Sequence, residues 1–216
     1  MKTKLSVSEL KHRAIDQLRR EEPDTSYVFE EPELIPYVPE FMQESQGEQQ
    51  EENLAALRGT AMHRVLECLD FSREFDTLKE QIDEMARNGR LEQRLYELVS
   101  LPALQRFLEL PLARRMQEAA RTGRLYKEKP FVMGKKASEI SVESDSSAMV
   151  LIQGIIDAFF EEDGQLVLVD YKTDAVKTKE ELTGRYQVQM DLYQEALERA
   201  TGKTVKEKLL YSFKLR

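Results

Sequence analysis

Residues 151–174, LIQGIIDAFFEEDGQLVLVDYKTD, limit the fold of this chain more than any other stretch. Asp163-Gly164 lies between two apolar, β-prone runs. A two-residue type I′ loop needs positive φ at both positions, so this dipeptide is a strong hairpin signal. With these two residues as the loop, Glu162 faces Gln165, and Asp157 falls directly opposite Asp170. The two acids then share one face at a non-hydrogen-bonded pair, where side chains approach most closely. Lys172 lies two residues beyond Asp170 and projects from the same face. Opposed carboxylates repel, but a divalent cation between them turns that cost into a binding site.

Length and composition narrow the class. The chain has 216 residues, 41% hydrophobic and 33% charged, which fits one soluble α/β domain with an extended arm. No apolar run approaches the length of a membrane span, and MKTKLSVSELKHR has no hydrophobic signal region. Cys68 is the single cysteine, so neither an internal disulfide nor an iron–sulfur cluster is expected, and a cytoplasmic setting follows. The net charge is −8, yet residues 21–52 hold eleven acids and no Lys or Arg. Without them the body carries 29 acids against 32 bases and is mildly basic.

The chain divides into an N-terminal helical segment (1–20), an acidic, proline-containing arm (21–53) and a main domain (54–216). Ser6 and Glu9 form a capping box for a helix over 6–20. Tyr27, Phe29, Tyr37 and Phe41 give the arm local docking groups, although a solvated linker is the simpler reading. A short amphipathic helix is expected at 60–71, and about four helices over 74–123, punctuated by Asn88-Gly89, Pro102 and Pro111. Then come a strand at 129–135, a loop at 138–147, the hairpin over 148–173, a helix over 185–201 capped by Gly202, and a strand over 205–215. This order predicts a small mixed β-sheet flanked by helices, with a helical cluster preceding it.

The hairpin residues suit phosphodiester hydrolysis: two hard oxygen ligands for Mg²⁺, and a lysine to orient water or balance charge on phosphate oxygens. The alternative, a solvated strand end with a salt bridge, sits badly with the apolar neighbours Ile155-Ile156 and Leu166–Val169. His63, with Glu67 one turn later, reads as an ordinary helical histidine or as an imidazole ligand that admits Mn²⁺ beside Mg²⁺. Glu128, before Pro130-Phe131, matters only if its strand lies beside the hairpin. Gln189 and Tyr193 are i, i+4 on one helix, with Tyr186 on the same face; a polar wall and half-buried core packing are equal readings. Gly202-Lys203-Thr204 mimics the end of a phosphate-binding loop, but Leu197 stands where the first glycine belongs, so no ATP site is expected.

Together these pieces resemble the PD-(D/E)XK nuclease superfamily, whose signature is an acid on one strand and acid–x–lysine on the next: here Asp157, then Asp170-Tyr171-Lys172. GTAMHRVLE (59–67), QGIIDAFF (153–160), VLVDYKTD (167–174) and YQVQMDLYQEAL (186–197) are similar to the RecB-type nuclease domains, especially those closing AddA-type bacterial helicase–nucleases. LSVSELK (5–11) resembles the segment that precedes such domains. The resemblance implies a restriction-endonuclease-like fold and Mg²⁺-dependent DNA cleavage. It implies His63, Asp157, Asp170 and the Tyr171 carbonyl as metal ligands, Lys172 as the catalytic lysine and Glu128 near the metal. Gln189 and Tyr193 would hold the site or the strand. It also implies a role in double-strand break repair, single-stranded DNA delivered by a helicase part of the same parent, and an AddB-like partner subunit. A departure is the missing ATPase part. The rival readings are a catalytically silent module that binds DNA or a partner, and an interaction domain using the 21–53 arm.

Overall fold

The hairpin forms at the dipeptide that announces it. In the computed structural model, Asp163 and Gly164 have φ of 54° and 77°. They join β3 (Met149–Glu162) to β4 (Gln165–Lys172), and the pairing runs from Glu162↔Gln165 to Ala158↔Val169. The structure describes residues 4–7, 10, 47–139, 148–174 and 176–214.

Around the hairpin lie β1 (Lys4–Ser6), β2 (Leu125–Lys136) and β5 (Val205–Ser212). The helices are α1 (Gly47–Cys68), α2 (Leu78–Arg87), α3 (Gln93–Tyr96), α4 (Leu101–Leu108), α5 (Pro111–Arg121) and α6 (Lys179–Thr201). β4 is central, antiparallel to β3 and parallel to β5, with α6 as the crossover. Residues 166–171 of β4 are all buried because both faces of the strand are covered. Val167, Val169 and Tyr171 pack against α1–α5, whereas Leu166 and Leu168 pack against α6. Arg115 of α5 forks onto Glu162 and Glu207 at 2.7–3.0 Å, fastening the hairpin end to β5. No helix among the described residues is long and apolar enough to cross a membrane.

One edge of β3 pairs with β2 along nearly its whole length. The other edge is shared: β4 takes Ala158–Glu162, and β1 takes Leu151–Gln153 in parallel. Between those partners the edge is open, and Asp157 stands at the opening. The facing of β3 also reverses there. Val150, Ile152 and Ile156 lie on the α6 side, but Ala158 and Phe160 lie on the α1–α5 side. β2 turns with it: Lys127↔Ala158 and Lys129↔Ile156 pair, the step between them does not, and Glu128 has φ 47°. Simple alternation therefore fails at one residue, and the pairing of Asp157 with Asp170 expected from the turn stops one step short.

The other sequence expectations differ mostly at boundaries. α1 begins at Gly47 rather than Thr60, inside the stretch read as an acidic arm; GEQQEEN lacks proline and is rich in helix-forming Glu and Gln. The four helices of 74–123 form, with Pro102 and Pro111 in the first turns of α4 and α5. α6 starts at Lys179, six residues early, because Thr178 caps it through Glu181 N at 3.1 Å. Gly202 ends it with φ 69°. Lys4–Ser6 is a strand that no local pattern signals, so Ser6 does not open the expected 6–20 helix; Val7 and Leu10 are helical, and residues 8–9 and 11–20 lie outside the described residues, as do 21–46 of the arm and 140–147 of the loop.

Gly164 has a positive φ that a β-branched residue rarely adopts, so Gly164→Val is expected to destabilise the fold by about 1–3 kcal/mol. Gly164→Asn should cost less, because Asn tolerates left-handed backbone. Urea unfolding of the two variants checks the order; equal stabilities would remove the type I′ turn as the register-setting element.

Candidate active site

α1 reaches the sheet through a close approach. Gly59 packs on Thr173, just past β4, so closely that a Cβ there would sit 2.6 Å from Thr173 Oγ1. One turn later, His63 Nδ1 lies 3.5 Å from Asp157 Oδ2. The kink in β2 and β3 adds Glu128, so that His63, Glu128 and Asp157 offer donor atoms all within 4.8 Å of one another. They line a cavity of about 430 Å³ with Thr60, Arg64 and Thr173.

A second cluster lies on the α6 side of β4. Asp170 is fully buried. Its Oδ1 accepts from Gln189 Nε2 at 3.0 Å. Its Oδ2 is 2.7 Å from Lys172 Nζ but satisfies no hydrogen-bond geometry. Lys172 Nζ also donates to Gln189 Oε1 at 3.4 Å and sits 4.2 Å from the centre of the Tyr186 ring. Gln189 uses its second amide hydrogen on Tyr193 Oη at 3.0 Å, and Tyr186 donates its hydroxyl to Asp174. Tyr186, Gln189 and Tyr193 thus present one polar face of α6 to the end of β4.

Tyr171 joins the clusters. Its amide donates to Asp157 Oδ2 at 2.9 Å, and its own ring is buried on the α1–α5 side. This is where the sequence expectation needs correction. Asp157 and Asp170 are not a paired position, because the ladder ends at Ala158↔Val169; Asp157 is drawn toward His63 and Glu128 and Asp170 bonds Gln189 of α6, while Lys172 still acts on the charge of both. His63, Glu128, Asp157, Asp170, Lys172, Tyr186, Gln189 and Tyr193 nonetheless fall in one of the two clusters, whereas the arm aromatics Tyr27, Phe29, Tyr37 and Phe41 lie outside the described residues. Arg64 and the threonines Thr60 and Thr173 were not singled out. The spacing of Thr60, Arg64 and Glu67 on α1, three or four residues apart, is the signal that would have found two of them.

Burial sets the charge state. It pushes the Asp170 carboxyl up to about 6, with Lys172 opposing and Asp157 adding to the rise. It pushes Glu128 up to about 7, reinforced by Asp157 and then Glu67. Asp157 is raised by burial against the pull of the Tyr171 amide and Lys172. His63 is lowered by burial and then by Lys172, while the Asp170 charge and then a backbone hydrogen bond with Tyr171 work the other way. A neutral imidazole beside carboxylates that repel one another is a donor set for a hard or borderline divalent cation.

Comparison with known proteins shows the family. The family model of the PD-(D/E)XK nuclease superfamily matches residues 38–215. The AddA-type ATP-dependent helicase/nuclease protein of Lachnoclostridium phytofermentans is 35% identical over 87% of the chain, and that of Alkaliphilus oremlandii is 33% identical over 98%. Its counterpart in Thermoanaerobacter sp. strain X514 is 37% identical over 97%. The chain spans only 16–17% of the length of these relatives. With a mixed sheet flanked by helices, as in restriction-endonuclease-like α/β folds, and with acid and acid–x–lysine on adjoining strands, the chain belongs to the PD-(D/E)XK nuclease superfamily.

Proposed function

We propose that this domain hydrolyses phosphodiester bonds of single-stranded DNA in a Mg²⁺-dependent reaction, with Mn²⁺ as a substitute. The observation that carries the reading is the convergence of His63, Glu128 and Asp157, on α1, β2 and β3, at one cavity beside the Asp170–Lys172 pair. His63, Asp157 and Glu128 would hold the metal, with Asp170 and the Tyr171 carbonyl completing the ligand set. When bound, Mg²⁺ polarises the scissile phosphate and stabilises the charge that grows on it.

The chain's own residues do the rest. Lys172 is fixed on three sides, by the Asp170 carboxylate, the Gln189 amide oxygen and the Tyr186 ring. Its ammonium orients the attacking water and offsets negative charge on the phosphate oxygens during in-line displacement. Gln189 holds Lys172 and Asp170 together, one through each end of its amide. The relatives' shared name supports placement within a helicase–nuclease, where a motor part of the same parent delivers the strand. We extend that reading to double-strand break repair in the cytoplasm, with an AddB-like partner subunit. A mildly basic body suffices when the strand is delivered rather than captured.

Lys172→Ala and Asp157→Ala should each lower Mg²⁺-dependent cleavage of a labelled single-stranded oligonucleotide by about 100-fold or more. Wild-type rates in both would sink the mechanism. The raised carboxyls give a second expectation. Metal binding needs Glu128 and Asp170 ionised, so Mn²⁺ affinity by calorimetry should fall as pH drops through about 7 and about 6. The same shifts act on folding with the opposite sign. A carboxyl whose folded value is raised binds its proton more tightly when folded. In a chelator the fold should therefore lose stability as pH rises from about 4 to about 7. Thermal melts read this, and Mg²⁺ should reverse the loss above pH ~7.

A further inference from the structure

Lys127, next to Glu128 on β2, takes no part in the chemistry above, yet it is partly buried and its ammonium is fully engaged. Nζ donates to the carbonyls of Leu66, at 3.3 Å, and of Leu69, and lies 5.4 Å from the centre of the buried Phe71 ring. Those carbonyls belong to the end of α1. The last turns of a helix leave carbonyls unpaired and carry partial negative charge, which a cation stabilises. α1 has no basic residue in its own last turn. The cations come from elsewhere: Arg90 reaches the Cys68 carbonyl at 3.5 Å, and Lys127 supplies the rest from the sheet.

The placement matters because of what each end of this contact carries. Leu66 is one turn beyond His63 on α1. Glu128 follows Lys127 on β2 in the left-handed conformation, at the one step where β2 and β3 do not pair. Lys127 itself still pairs with Ala158, next to Asp157. One side chain therefore ties the helix bearing His63 to the strand kink bearing Glu128 and Asp157. From this geometry we infer that Lys127 is a positioning residue, which sets the separation of His63 from the two carboxylates and so the affinity of the site for a divalent cation. The inference rests on the reading that His63, Glu128 and Asp157 hold that cation.

The experiment is Mn²⁺ binding to the whole chain by calorimetry, with stability measured in parallel by urea unfolding. Wild type and Asp157→Ala come first; absent binding, or binding untouched by Asp157→Ala, removes the metal reading and this inference with it. Given a site, Lys127→Met keeps the aliphatic stem, loses the ammonium and should weaken Mn²⁺ about 10-fold or more. Lys127→Arg, which keeps a cation for the α1 carbonyls, should restore most of that affinity. Leu108→Ala in α4, buried and outside both clusters, is the control for lost stability alone and should bind Mn²⁺ like wild type. Wild-type affinity in Lys127→Met overturns the inference while leaving the metal site intact. So does an equal loss in Leu108→Ala. If Lys127→Met does not fold, Lys127→Gln, neutral but still a donor, takes its place under the same criteria.

Discussion

The arrangement depends on a carboxylate buried in the middle of an apolar sheet. Asp170 follows Val167, Leu168 and Val169 on a strand covered on both faces, and none of its surface reaches solvent. An isolated charge there would be expensive, and removing one partner from a buried pair costs several kcal/mol, roughly 3–5. Lys172 and Gln189 meet that cost together, and Tyr193 and Tyr186 hold them in place. The position of α6 is thus tied to the site: the helix that covers one face of the sheet also carries the groups that make Asp170 tolerable.

The opposite face is organised by a defect. β2 and β3 are paired along nearly their whole length except at Glu128 and Asp157, where both strands change the side they present. A regular ladder would send Asp157 to the same face as Asp170 and away from His63. The reversal leaves Asp157 at an open edge, within reach of the Tyr171 amide and His63. The left-handed backbone at Glu128 is a local strain of the kind found where a side chain must be re-aimed. The close packing of Gly59 on Thr173 brings α1 down to meet it.

Much of this was legible in the sequence, and the hairpin shows why. Asp163-Gly164 specifies a turn by local sterics, and a turn with a period-two ladder fixes which residues face each other, so the register from Glu162↔Gln165 to Ala158↔Val169 needs no tertiary information. The acid–x–lysine spacing, the Tyr186–Gln189–Tyr193 face and the Gly202 cap are equally local. What local rules missed was set at a distance. The strand at Lys4–Ser6 exists only because β3 offers it an edge. The early start of α1 and α6 was present in helix-forming Glu and Gln and in a Thr178 cap, but apolar periodicity, the stronger signal, begins later in both.

The sequence by itself determined the turn that brings the two strands together, and it named the acids, lysine and histidine that stand as candidates for the site. Those are properties of residue type and short spacing, encoded within a few positions. Only the tertiary structure decided how the acids divide. Asp157 joins His63 and Glu128, while Asp170 joins Lys172 and Gln189. That division follows from a kink shared by two strands more than twenty residues apart and from two helices packing on opposite faces. No periodicity in either strand records it, because the reversal is imposed by what each half of the ribbon must cover.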